Sequence, residues 1–258
     1  MNKTERVFFP GCSLPSYNPE LVEKTLSYLQ EKLPNLGSIQ KCCGKPTKAL
    51  GQMDLFHERY DGVQKDIDAL GAEEVIVACQ NCYLTMSANS PDQKVTSLWT
   101  LLPEIGLPEE VIGIGKDSDI TFALHDSCPT RDEREIHDGV RWIIDQLGYK
   151  VEEMSYTRGM TRCCGFGGMA LPANPELAKK VMARRAQEAE SDYMIAYCAA
   201  CRMSMALGGK NAVHLLDLIW GGPWTSESEF PPAGASALTS WGNRFRSKKS
   251  IKKVLQTV

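Results

Sequence analysis

The sequence predicts an α/β protein made of two duplicated parallel-sheet domains related by a pseudo-twofold. Two observations carry that expectation. Short apolar runs alternate with helix-period stretches, which is the pattern of βαβ units. The ten cysteines also repeat in two sets of five: Cys12, Cys42, Cys43, Cys79 and Cys82, then Cys128, Cys163, Cys164, Cys198 and Cys201. Each set reads as one cysteine, an adjacent pair followed by glycine (Gly44, Gly165), and a C-x-x-C. The gaps are 29, 35 and 2 residues in the first set and 34, 33 and 2 in the second, and equivalent cysteines lie 116 to 121 positions apart. No cysteine is left outside the repeat, so the chain carries an internal duplication.

The elements follow in order. Val7 to Pro10 is a short apolar run that ends at Gly11-Cys12. Leu21, Val22, Thr25, Leu26, Tyr28 and Leu29 mark a helix closed by Leu33-Pro34. Ser38 to Gln40 reads as a weak strand leading to Cys42, and Met53 to Leu70 as a helix stopped by Gly71. Val75 to Ala78 is a buried-strand run ending at Cys79. In the second half the strand Ile120 to Leu124 runs into His125-Asp126-Ser127-Cys128. Helices follow over Val140 to Leu147 and Glu176 to Glu190, and Met194 to Tyr197 is a strand ending at Cys198. In parallel sheets sites form outside the carboxyl ends of the strands, so each set of five should converge at one end of its own sheet. The reading gives domains at 1–110 and 111–220, with the boundary in the Gly- and Pro-bearing stretch Leu107 to Lys116. Residues 221–258 remain as a loop and a basic tail, with six basic and no acidic residues from Arg244 onward.

Composition narrows the function. Of 258 residues, 43% are hydrophobic and 24% charged, which is ordinary for a globular chain and excludes disorder. A net charge of -3 argues against nucleic acid as a partner. No uncharged apolar run reaches the ~18 residues of a membrane span, and MNKTERVFFPGC carries no export signature, so a cytoplasmic location is expected. Thiols stay reduced there, which turns ten cysteines toward metal rather than disulfides. Tetrahedral zinc would use four thiols per half and strand the fifth. A thioredoxin-like redox pair at Cys79/Cys82 and Cys198/Cys201 would leave Cys12, Cys42 and Cys43 unexplained. Iron–sulfur clusters take soft thiolates in numbers, from several strands.

The spaced cysteines, together with the segments FFPGC, CCGKPTKALG, HDSC, RCCGFGG and VHLLDL, resemble the duplicated cysteine-rich CCG domain found in the heterodisulfide reductase family. The resemblance covers roughly Val7 to Asp217. It implies two [4Fe–4S] clusters of the noncubane kind, one per half, with all ten cysteines as ligands. It further implies reductive cleavage, or formation, of a disulfide in a small disulfide/thiol substrate. The electrons would come from an iron–sulfur or flavoprotein subunit, since no Rossmann fingerprint or ferredoxin-type cysteine run is present. The alternative is a protein that only relays electrons within a larger complex, as in lactate, glycolate, glycerol-3-phosphate or succinate oxidation systems. HDSCPTRD lacks the second histidine that relatives often carry after this cysteine.

His125, three residues before Cys128, is the candidate proton donor, against a structural histidine as the plain alternative. His214 reads as a cap on the second sheet, and His57 and His137 as helix surface. Gly165-Phe166-Gly167-Gly168 and Gly44-Lys45-Pro46 are expected to bring backbone N–H groups close to a cluster. Met169, Met203, Met205, Trp220, Trp224 and Trp241 read as core or lid residues. The basic tail is expected to dock an acidic partner or an anionic ligand, against a solvated helix face as the plain alternative, and to be dispensable for cluster binding.

Overall fold

The computed structural model describes residues 3–256. Two compact units emerge. One runs to Leu98 and takes in the chain from Ser236 onward; the other is Trp99–Ala235. The first unit contains β1 (Arg6–Phe9), α1 (Ser13–Tyr17), α2 (Pro19–Lys32), β2 (Leu36–Ser38), α3 (Lys45–Ala49), α4 (Met53–Leu70), β3 (Glu74–Val77), α5 (Gln80–Asn89) and β4 (Lys94–Ser97). After α6 (Leu98–Ile105) the second unit repeats the scheme. It has β5 (Thr121–His125), α7 (Arg134–Leu147), β6 (Lys150–Glu153), α8 (Ala170–Ala173), α9 (Pro175–Gln187), β7 (Tyr193–Ala196), α10 (Ala199–Leu207), β8 (Asn211–His214) and α11 (Leu215–Trp220). The final helix, α12 (Ala237–Gln256), returns to the first unit.

Each unit builds a four-stranded, wholly parallel sheet, in the order β2-β1-β3-β4 and β6-β5-β7-β8. This is the α/β class and the duplication expected from the sequence. The central strands VFF, EVIV, FALH and MIA are buried on both faces, as helix-covered parallel strands must be. The strand expected at 38–40 lies two residues earlier. Leu36 and Gly37 pair with Arg6 and Val7, and a Cβ at Gly37 would come within 3.1 Å of Thr4 Oγ1. β4 and β6 (KVTS and KVEE) escape the sequence reading because they are short, charged edge strands.

The tail is not a free appendage. Helix α12 packs on α1 and α2 and buries Asn243, Ser247 and Ile251. Asn243 Nδ2 donates to the Ser16 carbonyl at 2.8 Å, and Arg244 Nε donates to the Cys12 carbonyl at 3.2 Å. The tail therefore braces the loop that carries Cys12; its last two residues lie outside the described ones. His137 is buried rather than on a helix surface, and Trp241 is 68% exposed rather than in a core or lid. No helix among the described residues is long and apolar enough to cross a membrane.

Candidate metal centres

The same local devices position the cysteines of both units. Cys12 and Cys128 each lie three residues beyond a central strand, and Cys79 and Cys198 lie two residues beyond the neighbouring one. Cys79 and Cys198 are the N-caps of α5 and α10, with extended backbone, and Cys82 and Cys201 sit in the first turns. These helix N-termini direct their partial positive charge at the sulfurs. Cys42-Cys43 and Cys163-Cys164 follow the outer strands and end at Gly44 (φ +79°) and Gly165 (φ +89°). A side chain at Gly44 would meet Phe56 Cδ2 at 2.8 Å. The left-handed turn and the close approach together require glycine in the CCG triplet.

In the first unit, hydrogen-bonding contacts link the sulfurs in the row Cys12–Cys42–Cys43–Cys82–Cys79. In the second unit the row is Cys128–Cys163–Cys164–Cys201–Cys198, the same order. None of the ten takes part in a disulfide. Backbone N–H groups turn toward the pairs: Gly44 to Cys42, Lys45 to Cys43, Gly165 and Gly167 to Cys163, and Phe166 to Cys164. The Gly165 N–H lies 3.4 Å from Cys163 Sγ. The backbone of both glycine segments thus reaches cysteine sulfurs.

One thiol in each row is held strongly acidic. Hydrogen bonds from Cys12 and Cys43 bring Cys42 down to about 2, and those from Cys128 and Cys164 do the same for Cys163, also to about 2. Their neighbours move the other way. The bond to Cys42 pushes Cys43 up to about 11, and the bond to Cys163 pushes Cys164 up to about 12. Cys12, Cys82, Cys128 and Cys201 are also raised, by hydrogen bonds to neighbouring thiols and by burial. Five thiolates so close together repel one another, and cationic metal at the row removes that penalty. The donor set is all soft sulfur, which suits iron–sulfur chemistry.

The surroundings of the two rows differ. His125 ends β5, fully buried; Arg185 Nε donates to its Nδ1 at 3.1 Å. Its Nε2 is buried without a partner, and one ring nitrogen lies within 4.8 Å of the Cys164 and Cys201 sulfurs. An orphaned ring nitrogen beside a sulfur row fits a group held by those cysteines. Burial and the Arg185 charge hold the pKa of His125 down at about 4, so it is neutral at pH 7. Asp126 accepts from Arg141, Thr157, the Arg158 backbone and Tyr197, and Ser127 Oγ lies 3.6 Å from Cys201 Sγ. In the first unit the equivalent residue to His125 is Phe9, packed with Cys43, Cys82 and Phe56 in an apolar cluster. His214 caps α11, accepting from the Leu216 N–H at 3.2 Å in a capping box with Asp217.

The cysteine-rich CCG domain matches the chain twice, over residues 6–87 and 122–206. The chain belongs to the CCG cysteine-rich domain family. Each CCG match runs from the first strand of a unit to the helix holding its C-x-x-C. A subunit of the dihydromethanophenazine:CoB–CoM heterodisulfide reductase of Methanosarcina mazei is 25% identical over 225 residues, which cover 80% of this chain and 54% of the relative. An uncharacterized iron–sulfur protein of Methanococcus maripaludis is 26% identical, covering 78% of this chain and 41% of that protein. A subunit of the fumarate reductase (CoM/CoB) of Methanothermobacter marburgensis is 23% identical, covering 82% and 45%. The chain therefore spans about half the length of the curated relatives it matches.

Sequence reasoning named every cysteine of the two rows and singled out His125, which the fold places beside the second row. It missed Arg185, Asp126, Arg141, Tyr197 and Arg244. Arg185 stands beside Arg184 in a charged helix, and only the fold reveals that it is 1% exposed. A signal was available for Asp126 in the contrast between HDSC and FPGC at equivalent places in the repeat.

Proposed function

We propose that this CCG protein holds two iron–sulfur clusters, one per unit. Their ligands are Cys12, Cys42, Cys43, Cys79 and Cys82, and Cys128, Cys163, Cys164, Cys198 and Cys201. The reading extends to noncubane [4Fe–4S] clusters and to reductive cleavage, or formation, of a small disulfide: one disulfide, two electrons and two protons give two thiols. The observation that carries it is the pair of five-sulfur rows in identical order. The clusters would supply electrons singly. Around them, the protein's own groups hold the sulfurs, direct helix N-termini and CCG backbone N–H groups at negative charge, and keep a proton on His125 Nε2. A second reading, pure electron relay, draws support from relatives named as a fumarate reductase (CoM/CoB) subunit and as EtfAB:quinone oxidoreductase.

The test is chemical analysis of anaerobically purified protein, followed by disulfide turnover with a reduced dye as donor. About eight irons per chain with matching acid-labile sulfide, and thiol release from a disulfide, are expected. Stoichiometric zinc without labile sulfide would refute the cluster reading. Clusters that are reducible but release no thiol would leave the relay.

In either reading electrons arrive from another protein, an iron–sulfur or flavoprotein subunit. Helix α12 supplies a surface for it. Opposite its buried face stand Leu238, Trp241 and Phe245, exposed at 86%, 68% and 60%, followed by Lys249, Lys252 and Lys253. An apolar patch ringed by carboxylates is the complementary partner surface. Replacing Trp241 and Phe245 with alanine should weaken that partner's binding about 30-fold while leaving iron content unchanged. Calorimetric titration and iron analysis check it, and unaltered affinity would move the docking site elsewhere.

A further inference from the structure

The two units present their cysteine rows to different neighbours at matched positions. Strand register fixes the match: Phe9 pairs with Val77 and His125 pairs with Ala196, each two residues before a C-x-x-C. Stepping along the chain, Pro10 corresponds to Asp126, Gly11 to Ser127 and Ala78 to Tyr197. Every one of these positions is apolar or glycine in the first unit and polar in the second. In the first unit a Cβ at Gly11 would come within 3.1 Å of Cys82 Sγ, so that sulfur meets only bare backbone there. In the second, the Ser127 hydroxyl is 3.6 Å from Cys201 Sγ.

Arg185 makes the difference specific. It is a fully buried guanidinium held on several sides. Nη1 donates to Glu188 Oε2 at 2.7 Å, Nη2 to the Tyr156 carbonyl at 2.8 Å, and Nε to His125 Nδ1 at 3.1 Å. Because Arg185 can only donate, His125 Nδ1 must accept, and the single proton of the neutral ring resides on Nε2. With its lone pair spent on Arg185 and its other nitrogen protonated, His125 cannot serve as a sixth ligand. Its Nε2 is an N–H donor buried without a partner, on a ring one of whose nitrogens lies within 4.8 Å of the Cys164 and Cys201 sulfurs.

We propose that Arg185 is a positioning residue that fixes His125 as a hydrogen-bond donor to the second cysteine-held centre, and that this donor gives that centre the higher reduction potential of the two. The inference rests on the iron–sulfur reading above. Hydrogen bonds to cluster sulfur and nearby positive charge stabilise the reduced, more negative state and raise the potential. Phe9 offers neither at the first centre. An electron entering the protein therefore settles at the second unit.

The experiment is a redox titration of the anaerobic holoprotein followed by electron paramagnetic resonance, with iron and labile sulfide counted on the same samples. Wild type should reduce in two separated waves. His125→Phe, which copies Phe9, should move only the higher wave downward. Arg185→Met should move it in the same direction, and Glu188 keeps Arg162 as a partner in that variant. A second measurement needs no variant at these positions: electron–nuclear double resonance before and after exchange into deuterium oxide. An exchangeable proton coupled to the higher-potential signal is expected. A single wave in wild type, an unmoved higher wave in a cluster-loaded His125→Phe sample, or no exchangeable coupling at that signal would each overturn the proposal. Absent labile sulfide would refute the iron–sulfur reading itself, whereas full counts with unmoved potentials refute only the Arg185–His125 pair.

Discussion

Alanine at Cys42 is expected to empty the first unit's centre and leave the second's in place, and alanine at Cys163 to do the reverse. Each variant should retain about half of the wild-type iron. The expectation follows from the rows. Each closes within its own unit, and Cys42 and Cys163 are the thiols that two neighbours and the backbone N–H groups hold ionised. Removing either takes away the sulfur that links the isolated Cys12 or Cys128 to the rest of its row. Iron analysis and the spectrum of the surviving centre check the stoichiometry; loss of all iron from either variant would mean that the centres assemble as one. The same two proteins separate the functional readings. If both centres act on the disulfide, each variant loses turnover with an artificial donor while its remaining centre still accepts an electron. If either variant keeps near-normal turnover, its emptied unit is a relay or a structural repeat. The kinetics then have to be read as a property of one centre, since residues acting as a unit give effects that do not add.

The cysteine rows were legible from spacing alone because the chemistry requires a particular element at particular places, and duplication prints that requirement twice. The central strands were legible for a related reason. VFF and EVIV are buried on both faces, and little that is polar interrupts them. What the sequence concealed depends on long-range packing. KVTS and KVEE carry the charges of edge strands and look like loops. Arg244 belongs to a basic run with the appearance of a solvated tail, yet it is tied to the Cys12 carbonyl 232 residues away in sequence. Arg185 is indistinguishable in sequence from exposed Arg184. Its burial becomes apparent only when α9 is laid against the end of β5. His125 was found for its chemistry, but its protonation was not legible, since burial and Arg185 keep it neutral where a free histidine would begin to charge.

Replacing Arg141 with methionine is expected to cost the second unit about 3–5 kcal/mol at pH 7, because it leaves a buried carboxylate without its cation. Asp126 is fully buried and sits between β5 and Cys128. It accepts from Arg141 Nη2 at 2.8 Å, Thr157 Oγ1 at 2.7 Å, the Arg158 N–H at 2.7 Å and Tyr197 Oη at 3.2 Å. Burial alone would raise its pKa, but the Arg141 hydrogen bonds and charge outweigh it, with further help from Arg158 and Thr157, and hold the group at about 2. The unfolded value is about 3.9. A depressed carboxylate stabilises the fold fully above the unfolded pKa and loses that contribution as pH falls through the folded one. The penalty in Arg141→Met should therefore be full at neutral pH and shrink as pH falls, first through the value to which burial raises Asp126 without its cation and on toward pH 2, where protonated Asp126 no longer needs a cation. The double variant with Asp126→Asn should cost less than the sum of the single changes. Anaerobic urea unfolding followed by tryptophan fluorescence reads chiefly the second unit, which holds four of the five tryptophans, among them Trp99, buried 6.1 Å from Tyr197. A loss below about 1 kcal/mol, unchanged with pH, would mean that the ion pair is carried by solvent rather than by the fold. The consequence extends to the metal centre. The Asp126 carbonyl accepts from Thr161 Oγ1 at 2.7 Å, and the Thr161 carbonyl accepts from Arg131 Nε at 2.9 Å. These bonds join the loop bearing Cys128 to the one bearing Cys163, so loosening Asp126 should also speed iron release from the second unit and leave the first unaffected.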